Sequence, residues 1–139
     1  MSAGSSRPGV GLTVTHRRYV SDASAHYAGD LVDGAFVLAL FGDVATEMCI
    51  RTDGDEGLFA SYSDVQFVAA VRAGDVVEVQ ARLTRVGRRS RELELVARVV
   101  CRRLTGTSPE SSPGAAQVLA EPLIATTAVG TVVVPAPEG

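Results

Sequence analysis

Two acidic side chains, Asp43 and Glu47, stand in an otherwise apolar stretch, residues 33–52. Because this stretch is apolar nearly all round, it predicts a helix that is buried on most of its faces. Residues four positions apart lie on the same face of a helix, one turn from each other. Buried carboxylates destabilise a fold unless they are partnered, and like charges in a low-dielectric site drive their pKa values apart. This carboxylate pair therefore predicts acid–base chemistry, with one ionised base and one group that holds a proton.

The sequence leaves the roles within the carboxylate pair open. In the first interpretation Glu47 is the base and Asp43 is its partner or the binder of a cationic group; the reverse assignment fits the same spacing. In a structural interpretation, one carboxylate pairs instead with an arginine or a backbone amide across a subunit interface.

The start of the predicted helix offers a second chemical feature. Asp33 can cap the helix by accepting hydrogen bonds from its free backbone amides. Gly34 and Ala35 add little bulk there, so the first-turn amides form a positive pocket in which a carbonyl oxygen can sit.

Composition restricts the class of protein. A chain of 139 residues, 46% hydrophobic and 21% charged, predicts one ordinary globular domain. The net charge of -3 argues against a nucleic-acid-binding protein. No signal-peptide core and no run of roughly 18 apolar residues is found, so we expect no membrane association and a cytoplasmic location. Cys49 and Cys101 have no metal-ligand spacing; we expect reduced thiols and no bound metal.

The order of periodic segments predicts the elements that hold these groups. The expected domain covers residues 10–134, between a disordered N-terminus at 1–9 and a tail at 135–139, with a flexible loop at 105–116. Alternating patterns predict a strand at Val10–Val20 and a hairpin of Val77–Leu83 and Leu93–Cys101. Short β-prone runs predict strands at Leu58–Tyr62 and Val65–Val71, and a long β-branched run predicts the last strand, Val118–Val134. His16 continues the inward side of the first strand, where we expect a satisfied strand-end histidine rather than a catalytic one.

The predicted order of elements is a strand, one long apolar helix and then four or five antiparallel strands. This order predicts an α+β protein of the hotdog type, in which a curved antiparallel sheet of five or six strands wraps one helix. Such a sheet covers only part of the helix. We therefore expect at least a homodimer, with a tetramer or hexamer as further options.

Four segments carry a family resemblance: residues 25–35 (AHYAGDLVDGA), 40–51 (LFGDVATEMCIR), 53–59 (DGDEGLF) and 71–90 (VRAGDVVEVQARLTRVGRRS). They resemble the hotdog-fold 3-aminobutyryl-CoA and β-alanyl-CoA ammonia-lyases and, more broadly, the hotdog acyl-CoA thioesterases. The resemblance covers about residues 12 to 103. It implies a carbon–nitrogen lyase that reversibly eliminates ammonia from a 3-aminoacyl-CoA, with no cofactor apart from the coenzyme A of the substrate. The alternatives are an acyl-CoA thioesterase and a non-catalytic module that binds acyl thioesters.

The resemblance also gives roles to the loop before the helix. His26 and Tyr27 are expected to line the acyl pocket or to orient the thioester carbonyl. In the alternative, Tyr27 packs under the loop and His26 faces solvent. Gly29 and Gly34 let the backbone approach the substrate closely.

Coenzyme A requires groups that bind phosphate, and arginine suits bidentate phosphate contacts. The candidates are Arg85, Arg88, Arg89 and Ser90, within an arginine cluster that also contains Arg82 and Arg91. In the alternative interpretation this cluster is a solvated hairpin face that pairs with Glu92 and Glu94.

Overall fold

The structure, a computed structural model, describes residues 9–106 and 112–136. These residues contain one α-helix, α1 (Gly34–Asp53), and two short 3-10 helices, Asp22–Ser24 and Ala28–Asp30. The strands in the same residues are β1 (Thr13–Tyr19), β2 (Ala25–Tyr27), β3 (Leu31–Val32), β4 (Leu58–Phe67), β5 (Val71–Arg72), β6 (Val76–Val86), β7 (Ser90–Arg103) and β8 (Ala116–Val133). The helix ends at Gly54, which takes a left-handed conformation and donates its N–H to the carbonyl of Ile50.

The main sheet has five strands in the order β1-β6-β7-β8-β4, and each neighbouring pair is antiparallel. Strands β2, β3 and β5 form a small second sheet beside the start of α1. One long helix against a five-stranded antiparallel sheet confirms the predicted α+β hotdog arrangement. The predicted hairpin is also confirmed, since β6 and β7 pair with Leu83 opposite Leu93 and Val79 opposite Ala97.

The core lies between α1 and one face of the main sheet. The helix contributes a buried stripe at helical spacing, and the strands contribute alternate residues. Its fully buried members include Phe41, Val44, Met48, Val77, Leu83, Leu93 and Val99. This packing fixes which side of the helix faces the sheet.

Two predicted strand boundaries are wrong. Strand β1 begins at Thr13 rather than Val10, because Gly9 and Gly11 both have positive φ and turn the chain there. The two short runs predicted over 58–71 form instead one strand, β4, and the separate short strand β5. The pairing of β4 with β8 shifts near Asp64, whose φ is +52°, so an irregularity interrupts the alternation without ending the strand.

The expectation that α1 is buried on most faces is wrong for a single chain. The sheet covers one side of the helix, and the other side exposes Ala35, Ala39, Asp43 and Ile50. One of the two edge strands of the main sheet, β4, also carries exposed Leu58 and Phe67. An open helix face and an unpaired strand edge are both surfaces that a second subunit can cover.

Parts of three predictions fall outside the described residues. The expected disorder of 1–9 concerns mainly residues 1–8, the flexible loop includes 107–111, and the tail includes 137–139. Within the described residues, no helix is both long and apolar enough to cross a membrane.

Candidate active site

Glu47 lies in the C-terminal half of α1 and is held by two donors. The Nε2 atom of His16 lies 2.7 Å from Oε1 of Glu47, and Nε of Arg51 donates to Oε2 at 2.7 Å. His16 comes from β1 and Arg51 from the next turn of α1. The side chains of His16 and Glu47 are each 35% exposed, so this group remains open to a ligand.

The two donors shift the acidity of Glu47. The hydrogen bond from His16 and then that from Arg51 hold the pKa of the Glu47 carboxyl below its usual value, against a smaller opposing effect of burial. Glu47 is therefore ionised at neutral pH. The sequence-based hypothesis gives an ionised role to one member of the carboxylate pair, and the two donors favour the ionised form of Glu47.

Asp43 has a different environment one turn earlier. It lies on the exposed side of α1. In the described residues, the hydrogen bonds and ion pairs made by acidic side chains of α1 involve Glu47 and Asp53, not Asp43. The predicted burial of both carboxylates is thus wrong for one chain, because the sheet lies on the other side of the helix.

A pocket of about 440 Å³ lies at the N-terminal end of α1. Its mostly apolar lining consists of Tyr27, Val32, Asp33, Gly34, Val37, Phe67, Val68, Ala69, Ala70, Val71 and Thr126. A Cβ on Gly34 would lie 2.5 Å from Cε1 of Phe67, so only glycine fits beside this ring without a shift. The pocket brings together Tyr27, Asp33 and Gly34 from the predicted site.

Asp33 does occupy the N-cap position, but its side chain makes no capping hydrogen bond. That part of the prediction is wrong. The first-turn amides are therefore left without the expected carboxylate acceptor, and an acceptor from a ligand can take its place.

The loop residues divide between two settings. Tyr27 is 56% exposed and lines the pocket, so it does not pack under the loop as the alternative interpretation had it. His26 is exposed and packs edge-on against the Tyr27 ring without lining the pocket. Gly29 has a φ of +76° with open space around it, so it serves a left-handed turn rather than a close approach. Ala35 lies on the exposed side of α1.

The helix separates the predicted site residues from each other. Gly34 and Asp43 are nine positions apart, which corresponds to about 14 Å along the axis and two and a half turns. Within one chain, the helix N-terminus and the carboxylate pair therefore point in different directions and cannot contact the same small group.

The predicted coenzyme A residues lie around the β6–β7 turn, at the C-terminal end of α1. Arg85, Arg88 and Arg89 are exposed, and Nε of Arg89 is 3.4 Å from the carbonyl oxygen of Val134. Ser90 is half-buried at the start of β7. These residues remain candidates for phosphate contacts.

Two other arginines of the cluster already have partners. Arg82 forms an exposed ion pair with Glu94, as the alternative interpretation expected. Arg91 is almost buried and binds both oxygens of Asp53, at 3.0 and 2.6 Å, and donates to two backbone carbonyls as well. Arg91 thus fastens the hairpin to the end of the helix. In the described residues, no group of three potential metal ligands is found.

Comparison with known proteins decides the family. The sequence profile of the thioesterase superfamily matches residues 30–104, more than half of the chain. The chain is 47% identical to a 3-aminobutyryl-CoA ammonia lyase from Acetoanaerobium sticklandii over 116 residues, which is 84% of this chain and 89% of that protein. The chain belongs to the 3-aminobutyryl-CoA ammonia-lyase family of the thioesterase superfamily.

Solved structures of related proteins agree with this family. The β-alanyl-CoA:ammonia lyase from Clostridium propionicum is 32% identical, with a TM-score of 0.83 over 94% of this chain and 93% of that one. A hexameric thioesterase from Yersinia pestis is 18% identical, with a TM-score of 0.70 over 90% of this chain and 88% of that one. The second likeness shows a common fold.

For this lyase-family chain, sequence reasoning missed the partners of Glu47. The position of Arg51 four residues later was a usable signal, since Glu and Arg at this spacing meet on a helix surface. His16 shares the inward side of β1 with Val14, as predicted. Its contact with Glu47 spans 31 positions, and no local pattern encodes such a distant pairing.

Proposed function

We propose that this protein is a 3-aminoacyl-CoA ammonia lyase, which reversibly eliminates ammonia from a substrate of the 3-aminobutyryl-CoA or β-alanyl-CoA type. The observation that carries the proposal is the 47% identity to a 3-aminobutyryl-CoA ammonia lyase over most of both chains. The half-exposed, ionised Glu47 and the exposed Asp43 on one helix supply the carboxylates that this reaction needs.

The reaction can be written for two carboxylates and one oxyanion site. One carboxylate removes the proton alpha to the thioester carbonyl, and the electrons of that C–H bond form the new carbon–carbon double bond. The bond from the β-carbon to nitrogen breaks with its electron pair, so the ammonium group leaves as neutral ammonia. The second carboxylate holds the ammonium group before it leaves. The proton taken from carbon passes afterwards to ammonia or to water.

The thioester oxygen gains negative charge during proton removal and needs hydrogen-bond donors. The uncapped amides at the start of α1, beside Asp33 and Gly34, are suited to this role. The adjacent apolar pocket is suited to the acyl chain.

A complete site in this proposal needs two copies of the chain. The helix N-terminus and Asp43 are about 14 Å apart along one helix, too far to act on adjacent atoms of one substrate. In a dimer, the N-terminal pocket of one subunit faces the carboxylate pair of its partner across the open side of α1. The unpaired edge of β4, with exposed Leu58 and Phe67, supports such an assembly. Larger assemblies, a tetramer or a hexamer, remain compatible with the remaining surface.

Coenzyme A fits along the second half of the helix in this proposal. Asp43 and the helix C-terminus at Asp53 are about 15 Å apart, a distance that an extended pantetheine arm can bridge. The phosphates then reach the exposed side chains of Arg85, Arg88 and Arg89. The proposed enzyme uses no further cofactor. Its two free thiols, Cys49 and Cys101, fit the reducing cytoplasm in which we propose that it works.

An acyl-CoA thioesterase is the second candidate, favoured by the match of residues 30–104 to the thioesterase superfamily. In that reaction a helix carboxylate activates water or attacks the thioester carbonyl. Hydrolysis releases the coenzyme A thiol, whereas ammonia elimination keeps the thioester intact.

The test is to incubate the protein with crotonyl-CoA or acrylyl-CoA and ammonium, and to measure the amine adduct and the free thiol separately. Adduct without thiol is the expected result. Free thiol without adduct would establish the thioesterase instead. If neither product forms, the interpretation as a non-catalytic binding module is favoured.

Amide variants test the carboxylate pair within the same assay. Asp43→Asn and Glu47→Gln each lower the rate of adduct formation roughly 100-fold or more, the usual contribution of a positioned acid or base. The matched control is Glu56→Gln, an exposed acid in the turn after α1, which should leave the rate unchanged. Normal turnover in either amide variant would remove that residue from the mechanism.

A further inference from the structure

The contact between His16 and Glu47 joins β1, one edge strand of the main sheet, to the carboxylate pair. His16 lies on the inward side of β1, opposite Val79 of β6, and extends toward α1. Its Nε2 atom is 2.7 Å from Oε1 of Glu47. Since an ionised carboxylate only accepts hydrogen bonds, the Nε2 atom of His16 must carry the hydrogen.

Arg51 completes this arrangement from the other side. Its Nε donates to Oε2 of Glu47 at 2.7 Å, so each carboxylate oxygen has one donor from the protein. Each oxygen keeps a second lone pair that can accept a hydrogen bond from a ligand. The two donors come from different elements and fix the plane of the carboxylate without closing it off, because the Glu47 side chain is still 35% exposed.

A carboxylate held in this way is better suited to bind a cation than to remove a proton from carbon. Two charge-assisted hydrogen bonds weaken its basicity and keep its negative charge in one place. Asp43 lies one turn away on the exposed side of α1, apart from these donors. The two carboxylates therefore have unequal surroundings, which is the condition for a division of labour between them.

We propose that His16 is a positioning residue which, with Arg51, fixes Glu47 as the binding group for the ammonium of the substrate, and that Asp43 removes the proton from carbon. This inference rests on the proposed lyase function and adds the roles of the two carboxylates and of His16. It reverses the assignment first drawn from the sequence, in which Glu47 was the base. His16 itself touches no reacting atom; it acts through Glu47.

The test compares a substrate that has the ammonium group with an analogue that lacks it. In His16→Leu, the KM for 3-aminobutyryl-CoA rises roughly 10-fold, as expected for the loss of one charge-assisted hydrogen bond. The inhibition constant of butyryl-CoA, which has no ammonium group, stays within about twofold. In His16→Gln, an amide N–H can replace the imidazole donor, and the KM returns most of the way to the wild-type value. Arg17→Gln, on the same strand but paired with Glu78, is the matched control and leaves both constants unchanged.

The division of roles predicts different kinetics for the two acids. Glu47→Gln raises the KM of the ammonium substrate more than it raises the inhibition constant of butyryl-CoA, whereas Asp43→Asn lowers kcat and leaves KM nearly unchanged. A His16→Leu variant with unchanged kinetics and only a lower Tm would overturn the proposal, because the contact would then serve stability alone. A fall in kcat with an unchanged KM would overturn it as well.

A failure of the lyase function itself is recognised separately. The wild-type protein would then form no amine adduct in any condition, before any variant is examined. The geometric part of the inference has its own readout in the imidazole nitrogen signals of His16. They should show hydrogen on Nε2 at pH 8 in the wild-type protein and change in Glu47→Gln; an Nδ1–H tautomer in the wild-type protein would contradict it.

Discussion

The two ends of α1 are built in opposite ways. At the N-terminal end the capping side chain of Asp33 makes no hydrogen bond, Gly34 leaves space, and an apolar pocket of about 440 Å³ opens beside it. In the C-terminal half Glu47 and Asp53 are both fixed by ion pairs, with Arg51 and Arg91 respectively. One end has unused donors, while the other has nearly all its charges paired.

This difference separates two kinds of polar group. Paired charges such as Asp53 and Arg91 join the helix to the hairpin and belong to the fold. Free backbone donors at the start of the helix contribute little to the fold and are available to a ligand. Glu47 lies between them, since it is held like a structural group but remains exposed like a binding group.

The largest effect is expected at the C-terminal end. Arg91→Met leaves Asp53 without its bidentate partner, and this should lower the free energy of unfolding by about 3 kcal/mol. Arg91 holds the pKa of Asp53 below its usual value of 3.8. A carboxyl whose pKa is lower in the folded protein stabilises the fold at pH values above its unfolded-state pKa, and this contribution is lost as the pH falls. The difference in unfolding free energy between the variant and the wild type should therefore shrink as the pH falls below 3.8. Denaturant unfolding at several pH values measures both effects.

The control for Arg91 lies on the same hairpin. Arg82→Met removes the exposed ion pair with Glu94, which should cost less than about 1 kcal/mol. Equal losses in the two variants would contradict the claim that the C-terminal end is fastened by Arg91 in particular.

An intermediate effect is expected at the pocket. A Cβ at position 34 would meet the ring of Phe67, which is 59% exposed and can swing away. Gly34→Ala should therefore keep or slightly raise the Tm, because alanine is the better helix former, while the moved ring narrows the pocket. We expect the KM for the acyl-CoA to rise roughly 10-fold. Gly42→Ala is a suitable control, since a Cβ there meets no atom within 4 Å.

The smallest effect is expected at the cap. A capping aspartate usually stabilises a protein by roughly 1 kcal/mol. Because the Asp33 side chain makes no capping bond, Asp33→Ala should change the free energy of unfolding by less than about 0.5 kcal/mol. A loss near the usual capping value would show that the two ends of α1 are more alike than the structure indicates.

The sequence predicted the hairpin because Val77–Leu83 and Leu93–Cys101 alternate cleanly, and such alternation specifies a strand with one buried face. It placed the start of β1 too early because a residue pattern does not reveal the positive φ of Gly9 and Gly11. At the site it selected Asp43 and Glu47 from their spacing, but it gave both the same buried surroundings. The structure shows that Asp43 is exposed and that Glu47 is held by two donors.

By itself the sequence determined what depends on neighbours along the chain: the helix, the alternating strands, the one-turn spacing of the two acids and the family motifs. Only the tertiary structure decided what depends on distant segments. These are the hydrogen bond from His16 to Glu47, the burial of Arg91 against Asp53, and the side of α1 that the sheet leaves open. The physical reason is that periodicity reports the direction of a side chain relative to its own element, whereas its partner is set by how separate elements pack against each other.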